Sequence, residues 1–334
     1  MAKPTVAVGS LGGTITMTSD TGSGVAPAWG AADLVAQVPG LADVASVSAT
    51  TLAMLPGASL RYSDIDQALS WARSAVDAGA SGAVLVQGTD TLEETSYLLE
   101  LYWDRPQPLV VTGAMRAPQR AGSDGPANLL AAVATAVDPG ARGLGVLVVM
   151  NDEIHAASRV CKVDAMAVDA FGSPVFGPLA RLVEGSPAWG NHFQRHPPLA
   201  GQGDSVADPR VALLTTHLAD SGELLTHLVE AEYDGAVIAA LGVGHVSSEF
   251  ANAVSTATER FVVVFASRTG AGSTGWKSYG FAGSEKDLIA RGAIPAGWLT
   301  PLKARLLLWA LVRQRSCRNR IAEEFAARGT LRRS

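Results

Sequence analysis

Short apolar runs closed by glycine alternate with helix-period stripes along the first half of this chain, the pattern that a parallel sheet with crossover helices requires. One run is Val6-Ala7-Val8-Gly9, continuing as Ser10-Leu11-Gly12-Gly13-Thr14. Another is Ala83-Val84-Leu85-Val86, continuing as Gln87-Gly88-Thr89-Asp90-Thr91. Strands are predicted over 5–8, 83–87, 109–112 and 145–149. Between them, 64–76 places Ile65, Ala68, Leu69, Ala72 and Val76 on one helical face, with Ser63 as cap and Asp66 at the third helical position. A further helix begins at Leu92, and one over 127–137 has Pro126 in the first turn, where proline is tolerated.

Residues 184–209 are rich in Gly, Pro and isolated polar residues and keep no period, which predicts a linker between an N-terminal domain over 1–183 and a C-terminal domain over 210–334. Beyond it, strands are predicted over 211–215, 236–240 and 261–266, followed by a long helix from Leu302 started by Thr300 and Pro301. The expected fold class is α/β: a large N-terminal domain with a mainly parallel sheet flanked by helices, plus a smaller C-terminal α/β domain.

A formal net charge of -5 without a long basic run gives no electrostatic footprint for nucleic acid, and Arg313, Arg315, Arg318 and Arg320 are spaced like a solvated helix face. No apolar run reaches membrane-spanning length, and the first strand begins at Thr5, which leaves no room for a secretory leader; a cytoplasmic location is expected. Cys161 and Cys317 alone make neither a disulfide framework nor a zinc spacing.

In an open α/β sheet, ligands collect beyond the carboxyl ends of the strands, so the hydroxyls of Thr14 and Thr89 are expected to face one crevice. Thr91-Leu92-Glu93-Glu94 reads as a capping box, which makes Thr91 structural. Thr89 and Asp90 precede that cap and are not explained by it. Thr14 follows two glycines, which let the backbone approach a ligand. A hydroxyl nucleophile needs a partner for its proton, and Lys162, just after the strand at 145–149, can supply one. Gly9, Gly12 and Gly13, like Gly242 and Gly244, miss the dinucleotide-binding spacing, no phosphate loop exists, and the six histidines lack metal-ligand spacing. No cofactor and no metal are expected. His245, after the Gly242–Gly244 turn, stands at a strand exit, and the polar, glycine-rich segment 18–24 reads as a lid.

These residues resemble those of the bacterial-type L-asparaginase family. The resemblance is carried in order by Gly12-Gly13-Thr14-Ile15, Gly88-Thr89-Asp90-Thr91 with Glu93-Glu94-Thr95, Gly113-Ala114-Met115-Arg116, Asp124-Gly125-Pro126-Ala127-Asn128-Leu129, Val148-Val149-Met150-Asn151-Asp152 and Gly177-Pro178-Leu179. It implies hydrolysis of the side-chain amide of L-asparagine to L-aspartate and ammonia through a threonine acyl-enzyme. By position, Thr14 resembles the primary nucleophile, and Thr89, Lys162 and Asp90 the second threonine triad. Backbone amides near Gly88 and Ala114 would hold the oxyanion, Asp90 would also pair with the substrate ammonium, and the loop of Gly57, Ala58 and Ser59 would grip the substrate carboxylate. The resemblance further implies a homodimer or homotetramer, with Glu285 the candidate for an acid given to a neighbouring subunit. Three other readings stand beside it: a glutaminase-asparaginase of broader specificity, a weakly active amino-acid-binding or regulatory homologue, and the amidase subunit of a transfer-RNA-dependent amidotransferase, a family with the same fold that ordinarily carries a further N-terminal domain. The chain departs from the family where 15–33 contains no tyrosine and where Gly57 occupies a position that is often serine.

Overall fold

The apolar runs and short alternating segments of the first half form β1 (Thr5–Ser10), β2 (Met17–Ser19), β3 (Val25–Pro27), β4 (Ser46–Thr51), β5 (Gly82–Val86), β6 (Leu109–Thr112), β7 (Val146–Met150), β8 (Glu153–Ala156), β9 (Cys161–Lys162), β10 (Phe171–Gly172), β11 (Ala180–Val183) and β12 (Ser186–Trp189). The computed structural model describes residues 3–19, 25–27, 29–201 and 208–331. The chain divides into two units, Met1–Pro198 and Leu199–Ser334.

In the first unit, eight strands make one sheet in the order β12-β11-β8-β7-β6-β5-β1-β4. From β4 to β7 the pairs are parallel; β8, β11 and β12 add on antiparallel. The helices are α1 (Ala31–Ala36), α2 (Leu41–Val44), α3 (Tyr62–Asp77), α4 (Leu92–Tyr102) and α5 (Gly125–Val137). Val6, Val8, Val84, Val86, Val110, Leu147 and Val149 pack with Leu34, Leu41, Leu129 and Val133 in one core. Because strand side chains alternate between faces, Ala7, Ala83, Leu85, Val111 and Val148 belong to the opposite face, and they are equally buried. Covered on both faces, these strands are nearly all apolar.

The order of the strands fixes where a ligand can enter. After β1 the chain crosses to β4 on one side, then returns to lay down β5 on the other. The carboxyl ends of β1 and β5 therefore stand at a topological switch point, the place where open α/β sheets take their ligands.

The second unit carries β13 (Val211–Thr215), β14 (Gly235–Ala240), β15 (Val262–Ser267) and β16 (Ile294–Pro295), all parallel and in sequence order. With them run α6 (Glu223–Glu230), α7 (Ser248–Thr258), α8 (Glu285–Ala290), α9 (Pro301–Arg313) and α10 (Arg318–Arg328). Ile238, Val263 and Phe265 pack with Phe250, Val254 and Leu288. As expected, Thr300 caps α9, its hydroxyl accepting from Lys303 N.

Three expectations are corrected. The linker does not begin at 184: β11 and β12 form a hairpin through Glu184 (φ 50°) and Gly185 (φ 78°) that extends the large sheet, and the units part at Pro198. Residues 202–207 of the expected linker lie outside the described residues. Helix α3 starts before Ser63, because the Asp64 carboxylate accepts from Arg61 N at 2.8 Å and caps the helix earlier. The C-terminal arginines are not uniformly a solvated face. Arg313 stacks 5.0 Å from the Trp309 ring centroid and reaches Asp208 at 3.9 Å, and Arg318 donates to the Thr258 and Phe261 carbonyls.

On β8, His155 is fully buried, with Nδ1 2.9 Å from Ser173 Oγ and Nε2 3.3 Å from Glu153 Oε2; Arg181 pairs with the other oxygen of Glu153. Burial, reinforced by the Arg181 charge, lowers its pKa from 6.5 to about 4. The unfolded chain then binds this proton first on acidification. The stability that His155 contributes is complete above about pH 6.5 and is lost as pH falls toward about 4. Urea unfolding across that window is expected to show a loss of stability in the parent that is shallower in His155→Gln; identical pH profiles would contradict the assignment.

Candidate active site

Three loops crowd around Gly88 and its chain neighbours. Leaving β1, the chain is tied to β5 by Leu11 N donating to Val86 O at 2.8 Å, then turns through Gly12 (φ 104°) and Gly13 (φ 93°) into a single 3-10 turn, Thr14–Thr16. A β carbon on Gly13 would lie 2.1 Å from Gly88 N, and one on Gly88 would lie 2.8 Å from Gly57 N and 3.3 Å from Gly13 Cα. A β carbon on Gly113 would lie 2.6 Å from Gln87 O and 3.4 Å from Thr89 Cγ2. Glycine is what lets these main chains meet, and a side chain at Gly13 would also need a φ that L-residues rarely adopt. Gly57 itself would bring a β carbon within 3.0 Å of Gly88 O, so the glycine there lets its loop approach Gly88 closely.

The second threonine sits in a polar triangle. Thr89 is 6% exposed, and its Oγ1 accepts from Lys162 Nζ at 3.0 Å. Asp90 Oδ1 is 3.8 Å from the same nitrogen, yet the Asp90 side chain is 61% exposed, so its carboxylate remains open to a ligand. Thr91 does not cap α4 with its side chain. Its hydroxyl donates to Gly57 O at 2.9 Å, while Leu92 N is already met by Thr89 O of the preceding 3-10 turn. The expected capping box is therefore replaced by a strut between two loops of the site. Gly57 is buried, whereas Ala58 and Ser59 on the same loop are exposed.

Further bonds hold the loop around Ala114, a residue 1% exposed. The Asp124 carboxylate accepts from Met115 N at 2.9 Å and Arg116 N at 2.8 Å. Asn128 donates to Gly113 O at 3.0 Å and accepts from Asn151 N at 2.9 Å, joining this loop to the end of β7. Asp124 and Asn128 lie in a segment whose motif is visible in the sequence, but their bracing role is not. Glu93 was also missed: its Oε2 accepts from Lys162 N at 2.6 Å across 69 residues.

Thr14 is partly exposed at the start of its turn, and Trp29 N donates to Thr16 O at 3.1 Å. Backbones β2 and β3 pair antiparallel from Met17–Pro27 to Ser19–Val25, while residues 20–24 of the expected lid lie outside the described residues.

In the second unit, Glu285 opens α8. Its side chain is fully buried and accepts from Ser278 N at 2.7 Å, Tyr279 N at 2.8 Å and His245 Nε2 at 3.2 Å. Burial alone would raise this carboxyl, but the hydrogen bonds from Tyr279, Ser278 and His245 outweigh it and hold the pKa below its ordinary value. Glu285 is thus an internal brace of its own unit. The His245 ring it holds makes edge contacts with Tyr279 and Phe281, at 4.8 and 5.0 Å between centroids. Among the described residues, no group of three His, Cys, Asp or Glu side chains could hold a metal ion, and no helix is long and apolar enough to cross a membrane.

Comparison with known proteins agrees with this architecture. The family model for the N-terminal domain of asparaginase matches residues 5–195, and that for the glutaminase/asparaginase C-terminal domain matches residues 210–325. A probable L-asparaginase of Deinococcus radiodurans is 39% identical over 248 residues, 74% of this chain and 76% of the relative. L-asparaginase 2 of Escherichia coli is 31% identical over 336 residues, 97% of this chain and 93% of the relative. The crystal structure of a probable cytoplasmic L-asparaginase from Campylobacter jejuni superposes with a TM-score of 0.86 at 30% identity, covering 97% of this chain and 99% of that one. The large mainly parallel sheet followed by a smaller α/β unit is the two-domain asparaginase fold. The chain belongs to the bacterial-type L-asparaginase family.

The contact between Gly13 and Gly88 makes a sharp prediction. Gly13→Ala is expected to lose at least about tenfold in turnover and to unfold at lower urea, because the strained φ alone costs about 1–3 kcal/mol and the new methyl group has no space beside Gly88. Parental stability and activity in this variant would contradict the described packing.

Proposed function

We propose that the chain is an L-asparaginase that works through a threonine ester. Thr14 Oγ attacks the side-chain carbonyl carbon of asparagine, the carbon–nitrogen bond breaks, and the hydroxyl proton leaves with the nitrogen as ammonia. Water then cleaves the ester, releasing aspartate and restoring the Thr14 hydroxyl. Thr89, held by Lys162, relays protons beside the reacting carbon, and the open carboxylate of Asp90 pairs with the substrate ammonium. Main-chain amides of the Gly88 and Ala114 loops stabilise the oxyanion, a role whose loss elsewhere costs about 3–4 kcal/mol per donor. Gly57, Ala58 and Ser59 receive the substrate α-carboxylate.

The observation that carries this reading is the 3.0 Å bond from Lys162 Nζ to the Thr89 hydroxyl, with Asp90 beside it and Gly13 packed on Gly88. Family membership supports the reaction. The enzyme acts as a homodimer or homotetramer in the cytoplasm. A glutaminase-asparaginase is the second reading, because one methylene of substrate is worth only about 1–3 kcal/mol of discrimination in a pocket.

Ammonia release from L-asparagine by the parent, Thr14→Ala and Thr89→Ala tests the assignment. Both variants are expected to lose about a thousandfold or more in kcat, as the removal of a nucleophile or its partner does elsewhere, while keeping the parental unfolding midpoint. Parental turnover in either variant removes that threonine from the mechanism. Comparable kcat/KM for asparagine and glutamine would mark the broader enzyme. Stabilisation by aspartate without any ammonia release would mark a binding protein.

A further inference from the structure

Lys162 depends for its position on something other than the large sheet. Its strand, β9, is two residues long and, among the described residues, pairs only with the equally short β10 in a two-stranded ribbon, through Phe171–Lys162 and Gly172–Cys161. Such a ribbon is marginal by itself. Beyond it, Val163 and Met166 are 57% and 81% exposed, so the chain leaves Lys162 toward solvent. A lysine side chain is also a flexible four-carbon stem, and holding its nitrogen at one place requires its root to be fixed.

The root is held by Glu93. Its Oε2 accepts from Lys162 N at 2.6 Å, and the Glu93 side chain is buried, with only 7% of the residue exposed. Glu93 lies in the first turn of α4, directly after the 3-10 turn that contains Thr89 and Asp90. One rigid piece of chain therefore carries the Thr89 hydroxyl, the Asp90 carboxylate and the anchor for the main chain of Lys162. The lysine is gripped at both ends by that piece, at N by Glu93 and at Nζ by Thr89. A glutamate in a first helical turn ordinarily serves the helix dipole from the surface. Burial against a segment 69 residues away is not needed for that.

We propose that Glu93 is a positioning residue for Lys162, setting the geometry of the Lys162–Thr89 pair without touching substrate; the inference rests on the reading of that pair as part of an amidohydrolase site. The hydrogen-bond acceptor at Lys162 N carries the effect, and the negative charge does not. An amide oxygen in the same place keeps most of the effect.

The test is a double-mutant cycle on ammonia release from L-asparagine, using the full-length parent, Glu93→Ala, Glu93→Gln, Lys162→Met and the pair Glu93→Ala with Lys162→Met, each with its unfolding midpoint. Glu93→Ala is expected to lower kcat by about 10- to 100-fold, the scale of a misplacement of about 1 Å, with KM within about threefold. Glu93→Gln is expected to recover to within about fivefold of the parent, because its oxygen still accepts from the amide. On the Lys162→Met background, Glu93→Ala should cost nothing further, since its effect runs through the lysine. Equal losses with and without Lys162, or a Glu93→Gln as impaired as Glu93→Ala, would overturn the proposal while leaving the site reading intact. Parental turnover in Lys162→Met would instead sink the site reading, and this proposal with it. Should Glu93→Ala not fold, Glu93→Asp, whose carboxylate falls one methylene short, takes its place in the cycle with the same expectations.

Discussion

The backbones of Gly13 and Gly88 touch, and the arrangement of the site follows from that contact. Parallel neighbours β1 and β5 end side by side, with Ser10 opposite Val86, so their exits begin a strand spacing apart. Two glycines at positive φ then turn the first exit back onto the second, until no atom as large as a methyl group could separate Gly13 from Gly88. A threonine follows each glycine. The same Gly88 receives the loop of Gly57 on its other side, and Gly113 closes on Gln87 and Thr89. The proposed site is thus built where main chain meets main chain.

Around this contact, rigidity and openness are separated. Buried carboxylates and an amide are spent on main-chain groups of the site loops: Asp124 on Met115 and Arg116, Asn128 on Gly113 and Asn151, Glu93 on Lys162. A buried polar group is costly when unpaired, so each of these bonds also selects one loop geometry over its alternatives. The groups that the proposed mechanism assigns to substrate lie elsewhere. Asp90, Ala58 and Ser59 are exposed, and Thr14 is partly so.

Much of this was legible in the sequence, for physical reasons that also explain what was not. Continuous apolar runs gave β6 and β13 their full extents, and Pro126 and Thr300 marked the starts of α5 and α9, because each signal is local. The antiparallel end of the large sheet was hidden. Its two hairpins turn through Asn151 and Asp152 (φ 50° and 60°) and through Glu184 and Gly185 (φ 50° and 78°), and only the last of these is a glycine. Gly- and Pro-containing sequence around 184–190 then read as linker although it forms an edge strand, a position where Pro187 is tolerated. Thr91 and Glu94 matched a capping box, yet the Thr91 side chain makes no cap bond and its hydroxyl donates to Gly57 O, a partner brought up by tertiary contact. Glu93 and Glu285 could not be assigned, because their partners are set by tertiary contacts. The Glu93 acceptor serves Lys162, and Glu285 is enclosed by Ser278, Tyr279 and His245.

The most direct test is a crystal structure of the parent soaked with L-aspartate, the expected product. The side-chain carboxylate is expected between the Thr14 and Thr89 hydroxyls, within hydrogen-bond distance of both, with the α-ammonium on Asp90 and the α-carboxylate on the Gly57–Ser59 loop. Aspartate bound away from the β1 and β5 exits, or threonine oxygens turned to opposite sides of the Gly13–Gly88 contact, would contradict it.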